Sequence, residues 1–174
     1  NRAAVAALIT LLLSAVPAAA ATRILAFGDS LTAGLGLAPN QSFPAQLASR
    51  LKADGYEVIV DNGGVSGDTT RDGLARFDWA MGNHPDVVLL ELGANDMLRG
   101  LDPKRAEANL DAMLAKLKAA KLKVLLIGMA AANNWGADYK KSFDGIYPAL
   151  AKKYDVPFYP FFLDGVALDP TLNH

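Results

Sequence analysis

A serine and two hydrogen-bond donors follow predicted strands in an order that suits one type of reaction. Ser30 comes directly after Gly28 and Asp29, and a serine in such a tight turn can raise its hydroxyl into solvent as a nucleophile. Gly67 offers a backbone N–H that no side chain obstructs, and Asn95 offers two amide hydrogens. Acyl transfer needs donors of this kind, because an oxyanion develops after nucleophilic attack. The three residues together indicate the hydrolysis or transfer of an acyl group.

Each of these residues also has a structural interpretation when it is taken alone. A Gly-Asp-Ser triplet is typical of a turn or a helix N-cap, a loop glycine can simply be flexible, and an asparagine can belong to a turn. The chemical interpretation is favoured by their joint position. The loops at 28–30, 66–68 and 93–96 all leave the carboxyl ends of predicted strands, the edge where ligands bind in open parallel sheets.

Short apolar runs that end in turn residues predict the strands. They cover residues 23–27, 56–60, 86–92, 123–128 and 157–160. Apolar residues spaced by three and four predict helices between them, over 42–54, 70–81, 102–117 and 139–150, with a kink or break at Pro148. In the third of these helices the predicted buried stripe consists of Ala106, Leu110, Met113, Leu114 and Leu117. The segment 61–68 is rich in Gly, Ser and Asp and is predicted to be a loop. This alternation predicts a three-layer α/β/α sandwich with a central parallel five-stranded sheet.

Three motifs of the chain resemble those of the SGNH hydrolases, the GDSL-type serine hydrolase family. Residues 27–34, 65–69 and 93–96 are similar to the first three sequence blocks of that family, in the same order and with matching spacing. The similarity extends from Arg23 through Phe162 and is strongest to the bacterial branch of periplasmic thioesterases, lysophospholipases and arylesterases. The resemblance implies a flavodoxin-like fold. It also implies that Ser30 is the nucleophile, and that the Ser30 N–H, the Gly67 N–H and the Asn95 amide form the oxyanion hole.

The resemblance further implies a carboxylic ester hydrolase that works through an acyl-enzyme on Ser30. Its substrate would be a small-molecule ester or thioester, and no cofactor and no metal would be needed. Esterase, arylesterase, lysophospholipase and acyl-CoA thioesterase activities all remain open, as does the length of the acyl chain.

The family also needs an Asp-x-x-His pair after the fifth strand, in which the histidine activates the serine. The chain has two histidines and neither belongs to such a pair. His84 precedes the third strand, so we predict a surface residue at the opposite edge of the sheet from Ser30. His174 has Thr171 three positions before it and stays an alternative base. We expect the pair beyond residue 174, with the sequence truncated at both ends, and the chain as given could then be inactive.

Residues 1–21 are predicted to be a signal peptide, because a charged start, an apolar run and an alanine-rich cleavage zone follow one another. A membrane anchor is the alternative, and the apolar run is shorter than the ~20 residues that span a bilayer. Residues 22–174 are predicted to be one hydrolase domain of about 150 residues, truncated at its C-terminus. We expect a periplasmic or secreted protein that is a monomer, without stable membrane insertion once the leader is cleaved.

Charge and composition disfavour several other classes of protein. The net charge is -1 with no basic cluster along the sequence, so no nucleic acid partner is expected. Cysteine is absent, which excludes disulfides and thiolate metal sites within this sequence.

Two other functions stay open, and so do the roles of three side chains. A flavodoxin-like module could hold a phosphate or nucleotide, although an aspartate-bearing second loop fits an anion poorly. An inactive relative could bind acyl or glycan ligands, which the missing histidine would permit. Trp135 could shape the substrate pocket or cover the core, and Arg71 and Arg99 could flank the cleft or be solvated surface residues.

Overall fold

The structure is a computed structural model that describes residues 20–167, 169 and 171. Most of the predicted signal peptide, over residues 1–19, lies outside the described residues, and so does His174. Among the described residues, none of the helices combines the length and the apolar character that crossing a bilayer requires.

Five parallel strands form one sheet in the described part of the chain, in the order β2-β1-β3-β4-β5. They are β1 (Thr22–Gly28), β2 (Val58–Gly64), β3 (Val87–Glu91), β4 (Lys123–Ile127) and β5 (Phe158–Tyr159). The central strands β1 and β3 are buried over most of their length, because the sheet is covered on both faces. The predicted parallel five-stranded sheet is confirmed.

Helices connect the strands, and three of them begin after a residue whose side chain accepts a free backbone N–H group of the first turn. They are α1 (Ser30–Ala33), α2 (Phe43–Ala53), α3 (Thr70–Ala80), α4 (Ala94–Leu98), α5 (Pro103–Ala119), α6 (Ala137–Asp144) and α7 (Ile146–Tyr154). The side chain of Asp102 accepts the N–H of Lys104 at the start of α5, where Pro103 has no N–H to satisfy. At the start of α3, Thr69 and Asp72 form a reciprocal capping box.

Two apolar clusters place the helices on opposite faces of the sheet. On one face, α3, α5, α6 and α7 pack against sheet residues such as Phe27 and Leu90. The predicted apolar stripe of α5 is buried throughout, at Ala106, Leu110, Met113, Leu114 and Leu117. On the other face, Phe43 and Leu47 of α2 pack against Ala26 and Leu89. The fold is therefore a three-layer α/β/α sandwich, as predicted.

The second strand differs from its prediction over 56–60. β2 begins at Val58 and continues through Gly64, so half of the predicted loop is a strand paired with β1 along its whole length. As an edge strand, β2 tolerates polar residues, and Asp61 forms an ion pair with Arg23 of β1 at 2.7 Å. Gly64 is required by space, because a Cβ there would lie 2.2 Å from the backbone N of Ala33. The composition of residues 61–68 indicates a loop, but pairing with β1 makes residues 61–64 part of a strand.

The break predicted in the 139–150 helix occurs, but three residues before Pro148. α6 ends at Asp144, and α7 begins at Ile146 after Gly145. Pro148 then lies in the first turn of α7, where its missing N–H removes no intrahelical hydrogen bond. The short helices α1 and α4 were not predicted. Each begins within three residues of the end of a strand, β1 and β3 respectively, and together they contain Ser30 and Asn95.

Candidate active site

The three polar loops meet at the carboxyl edge of the sheet. Ser30 is the first residue of α1, Gly67 lies between β2 and α3, and Asn95 lies in the first turn of α4. The Asn95 side-chain amide joins the loops, since Nδ2 donates to the Asp68 carbonyl at 3.0 Å and to Asp29 Oδ2 at 3.3 Å. The predicted convergence of these loops is therefore present.

Ser30 stands at a helix start that leaves its hydroxyl and its backbone N–H without partners among the described residues. Asp29 caps α1, with Oδ1 accepting the Leu31 N–H at 3.0 Å. The Ser30 side chain is partly buried. Neither its hydroxyl nor its backbone N–H forms a hydrogen bond with any residue that the structure describes. Both groups can therefore interact with a ligand at this edge.

Gly67 adopts a backbone conformation that favours glycine. Its φ is +88°, whereas the nearest atom to a Cβ built there would be Arg99 Nη2 at 3.8 Å, so conformation and not space sets the requirement. Arg99 Nη2 donates to the Gly67 carbonyl at 2.8 Å. Within the described residues the Gly67 N–H has no partner. Gly67 is thus held through its carbonyl while its N–H stays available.

Asn95 does not have the free amide hydrogens that the sequence suggested. The side-chain nitrogen donates to two acceptors, the Asp68 carbonyl and the Asp29 carboxyl group. These two hydrogen bonds fix the amide between the loops. The contact with Asp29 is the longer of the two and is the one that a new acceptor would replace most easily. The role of Asn95 in an oxyanion hole stays a prediction.

Arg76 of α3 connects the loop after β2 with the end of β1. Its Nε lies 2.6 Å from Asp68 Oδ2, its Nη2 donates to the Gly28 carbonyl at 2.9 Å, and its guanidinium lies 4.2 Å from the centre of the Phe27 ring. The side chains of Arg76 and Asp68 are only 19% and 12% exposed. Sequence reasoning missed Arg76, because nothing in its local pattern distinguishes it from a surface arginine.

Glu91, at the end of β3, lies beneath the turn that carries Ser30. Its side chain is 1% exposed, and Oε2 accepts from Thr32 Oγ1 at 2.7 Å and from the Asp29 N–H at 3.4 Å. Its Oε1 has no partner in the described part of the molecule. Burial, and secondly the nearby Asp29 carboxylate, raise the pKa of Glu91 to about 8. Glu91 is therefore mostly protonated at neutral pH.

Two other buried carboxyl groups support the same edge. Burial is the main cause that raises the pKa of Asp29. Asp96 accepts both the backbone N–H and the hydroxyl of Thr70, each at 2.7 Å, and burial raises its pKa as well. Asn109 of α5 donates to the same Thr70 hydroxyl at 3.0 Å. These contacts attach α4 and α5 to the start of α3.

His84 lies where it was predicted, away from Ser30. It is exposed, follows the turn Met81–Asn83 and precedes β3, so it is at the amino end of the sheet. It is also the one histidine in the part of the chain that the structure describes. Within residues 20–167, 169 and 171, no cluster of three or more His, Asp or Glu could hold a metal ion.

Trp135 packs over the end of α4 and not into the core. Its Nε1 donates to the Met97 carbonyl at 2.8 Å, and a Cβ at Gly100 would lie 2.7 Å from its ring. The side chain is 46% exposed. Trp135 therefore fixes the position of the loop after β4 beside the helix that carries Asn95.

A parallel sheet with serine, glycine and asparagine loops joined at its carboxyl edge is an arrangement typical of serine hydrolases of the flavodoxin-like type. The chain belongs to the GDSL-like Lipase/Acylhydrolase family, whose family model matches residues 26–174.

Individual relatives agree with this assignment. The chain is 41% identical to an arylesterase of Vibrio mimicus over 152 residues, which is 87% of this chain and 76% of the relative. It is 42% identical over 154 residues to thioesterase 1/protease 1/lysophospholipase L1 of Escherichia coli strain K12, covering 88% and 73%. Among solved structures, the SGNH-hydrolase family esterase AlinE4 matches with a TM-score of 0.86 and 47% identity, over 88% of this chain and 83% of that one. The predicted family and fold are confirmed.

Proposed function

We propose that this protein hydrolyses carboxylic esters and thioesters through an acyl-enzyme on Ser30. The observation that carries the proposal is the unpaired state of three groups within the described residues: the Ser30 hydroxyl, the Ser30 N–H and the Gly67 N–H. All lie in loops that Asn95 joins at the carboxyl edge of the sheet. The names of the relatives, arylesterase and thioesterase, support the same class of substrate.

The proposed reaction begins with attack of Ser30 Oγ on the substrate carbonyl carbon. The carbonyl oxygen becomes an oxyanion and accepts hydrogen bonds from the Ser30 and Gly67 N–H groups. Asn95 Nδ2 contributes a third donor when one hydrogen leaves the 3.3 Å contact with Asp29 for the stronger negative acceptor. The intermediate collapses and expels the alcohol or thiol, which receives from the general base the proton that this base took from Ser30. Water, deprotonated by the same base, then attacks the acyl-serine, which releases the acid and restores the serine hydroxyl.

Protonated Glu91 suits this chemistry electrostatically. An ionised carboxylate buried below the Ser30 turn would repel the oxyanion, because charges interact strongly where water is excluded. The raised pKa of Glu91 keeps that carboxyl mostly neutral at pH 7 while it still holds Thr32 and the Asp29 N–H. The active-site turn is thus fixed by a carboxyl group without a full negative charge beneath it.

The proposed general base is a histidine that an aspartate orients. His84 is excluded from this role by its position at the amino end of β3. On the resemblance alone, we propose that the base belongs to an Asp-x-x-His segment after residue 174, with His174, outside the described residues, as the alternative.

We further propose that the protein is exported to the periplasm or secreted and acts as a monomer. The support for export is the pattern of residues 1–21, in which an apolar run follows a charged start and precedes an alanine-rich zone.

Hydrolysis of p-nitrophenyl butyrate by the full-length protein tests the proposal. Ser30→Ala should lower kcat/KM by at least about a thousandfold, because the nucleophile is lost. Ser66→Ala is the matched control, since Ser66 is an exposed serine beside Gly67 and should change the rate little. Unchanged hydrolysis by folded Ser30→Ala would refute the proposal. A folded wild type without activity on esters or thioesters would instead favour a ligand-binding role.

A further inference from the structure

Arg99 connects the two loops that carry Gly67 and Asn95. It directly follows the last residue of α4, and its backbone N–H donates to the Asn95 carbonyl at 3.2 Å. Its guanidinium extends to the loop after β2, where Nη2 donates to the Gly67 carbonyl at 2.8 Å. One residue thus joins the helix of Asn95 to the glycine whose N–H is a proposed oxyanion donor.

Gly67 lies in the middle of a tight turn. The Asp68 N–H donates to the Val65 carbonyl at 3.2 Å, so Ser66 and Gly67 are the two central residues. Gly67 has a φ of +88°, whereas Ser66 does not have a positive φ, and this combination defines a type II turn. The Gly67 N–H belongs to the central peptide of that turn, between Ser66 and Gly67.

The two ends of this turn are attached to the rest of the site. At one end, the Val65 N–H donates to the Gly28 carbonyl at 3.0 Å. At the other end, the carboxylate of Asp68 accepts from Arg76 at 2.6 Å and its carbonyl accepts from Asn95 at 3.0 Å. None of these contacts involves the two central residues.

The middle of the turn is held by Arg99. Ser66 forms no hydrogen bond with any residue that the structure describes, and the bond from Arg99 is the one that Gly67 has there. Glycine does not fix the direction of its own N–H, because it adopts positive and negative φ with similar ease. With a φ near -90°, as in a type I turn, the central peptide is turned over and its N–H points the opposite way. The bond from Arg99 therefore restrains the residue on which the direction of this donor depends.

Arg99 is suited to hold a carbonyl. Its guanidinium is charged, so its hydrogen bond to a neutral oxygen is stronger than one between two neutral groups. Arg99 forms no ion pair in the described part of the chain, so no carboxylate competes there with the Gly67 carbonyl.

We propose that Arg99 is a positioning residue for ester hydrolysis, which holds the Gly67 N–H toward the oxyanion that forms when Ser30 attacks. This inference rests on the proposed function and adds to it a residue that does not touch the substrate. The N–H interacts with the oxyanion more strongly than with the neutral ester carbonyl. Loss of Arg99 should therefore slow the chemical step and leave substrate binding nearly unchanged.

The test compares Arg99→Ala with wild type in the full-length protein, on p-nitrophenyl butyrate. The variant should lower kcat by about tenfold and change KM by less than about twofold. This loss is smaller than the 100- to 1000-fold expected when an oxyanion donor is removed, because the N–H is still present but less well directed. The inhibition constant of an alkyl trifluoromethyl ketone, which forms a hemiketal oxyanion with the serine, should rise by the same factor as kcat falls.

Arg71→Ala is the matched control. Arg71 is also an exposed arginine, and among the described residues its side chain bonds only the neighbouring Asp72, at 3.3 Å. Its removal should leave kcat and the inhibition constant unchanged. A wild-type kcat in Arg99→Ala, or an equal loss in Arg71→Ala, would overturn the inference.

A double variant shows whether Arg99 acts through Gly67. In Gly67→Ala, the positive φ is strained by the new Cβ, so the donor is already misdirected. Addition of Arg99→Ala to this variant should lower kcat by less than a further twofold, because the two changes remove the same effect. A further tenfold loss would show that Arg99 acts elsewhere and would overturn the inference.

NMR relaxation of the Gly67 amide separates this inference from the proposed function. If the wild type does not hydrolyse the ester, or if Ser30→Ala hydrolyses it equally fast, the proposed function fails. Whether Arg99 holds Gly67 is still measured: the order parameter of this amide should be about 0.85 in wild type and Arg71→Ala, and below about 0.6 in Arg99→Ala. Equal order parameters in all three proteins would overturn the inference.

Discussion

Replacement of Glu91 by glutamine should reverse the order of stability of the two proteins between acid and alkaline pH. The pKa of Glu91 is about 8 in the folded protein, against an ordinary value of 4.5. Below pH 4.5 the carboxyl is protonated in both the folded and the unfolded chain, so it does not make stability depend on pH. Above pH 4.5 the unfolded chain releases this proton and the folded protein retains it, so the free energy of unfolding falls as pH rises toward 8.

The size of the effect follows from these two pKa values. At about 1.4 kcal/mol per pH unit, Glu91 removes about 4 kcal/mol from the free energy of unfolding between pH 5 and pH 8. Glutamine cannot ionise and loses this dependence. Its amide nitrogen, however, takes the place of Oε1, which has no partner among the described residues, and carries two hydrogens where the protonated carboxyl carries one. One additional buried donor is then unpaired, which costs about 1–3 kcal/mol. The variant should therefore be less stable than wild type at pH 5 and more stable at pH 8.

Urea unfolding at pH 5, 6, 7 and 8, followed by circular dichroism, measures this difference directly. Glu107→Gln is the control, because Glu107 is exposed on α5 and its removal should leave the pH dependence of the wild type intact. Stability curves for wild type and Glu91→Gln that stay parallel across this range would show that Glu91 does not hold a proton in the folded protein.

Three further substitutions test other parts of the site. Asn95→Ala should lower kcat for ester hydrolysis by about 100- to 1000-fold through loss of an oxyanion donor, and a loss under threefold would exclude that role. Arg76→Gln should lower the free energy of unfolding by about 3 kcal/mol, because Asp68 stays largely buried without its partner. The melting temperature should then fall by about 6–12 °C, and an unchanged melting curve would contradict the importance of this pair. Tyr147→Phe leaves the buried Leu92 carbonyl without its 2.9 Å hydrogen bond and should cost about 1–3 kcal/mol, measured by urea unfolding; equal stability would show that another donor replaces the hydroxyl.

Regular elements could be predicted from the sequence where one residue pattern dominates. The stripe from Ala106 to Leu117 has helical spacing, and all five of its predicted members are buried on α5. The apolar run around Leu89 is typical of a strand covered on both faces, and it forms the central strand β3. The pairing of Asp61 to Gly64 with β1 could not be predicted from the sequence. An edge strand forms through hydrogen bonds to its neighbouring strand and does not need an apolar composition. The helix break at Gly145 was assigned to Pro148, since proline is the stronger local signal.

The candidate site was predictable in its chemical groups and not in its supporting contacts. Ser30, Gly67 and Asn95 stood out because loops after parallel strands meet at one edge. The attachment of Asn95 to Asp29 depends on side-chain positions that the spacing of residues does not encode. Glu91 carried one signal, a lone acid in an apolar run, which indicates either a surface position or a buried carboxyl with a shifted pKa.

Covalent labelling of the nucleophile distinguishes Ser30 from every other residue of the chain. The full-length protein is treated with an alkyl fluorophosphonate and analysed by intact mass and peptide mapping. We expect one adduct per chain, on the peptide that contains Ser30, absent in Ser30→Ala and retained in Ser66→Ala. An adduct on another residue, or undiminished labelling of Ser30→Ala, would show that Ser30 is not the nucleophile.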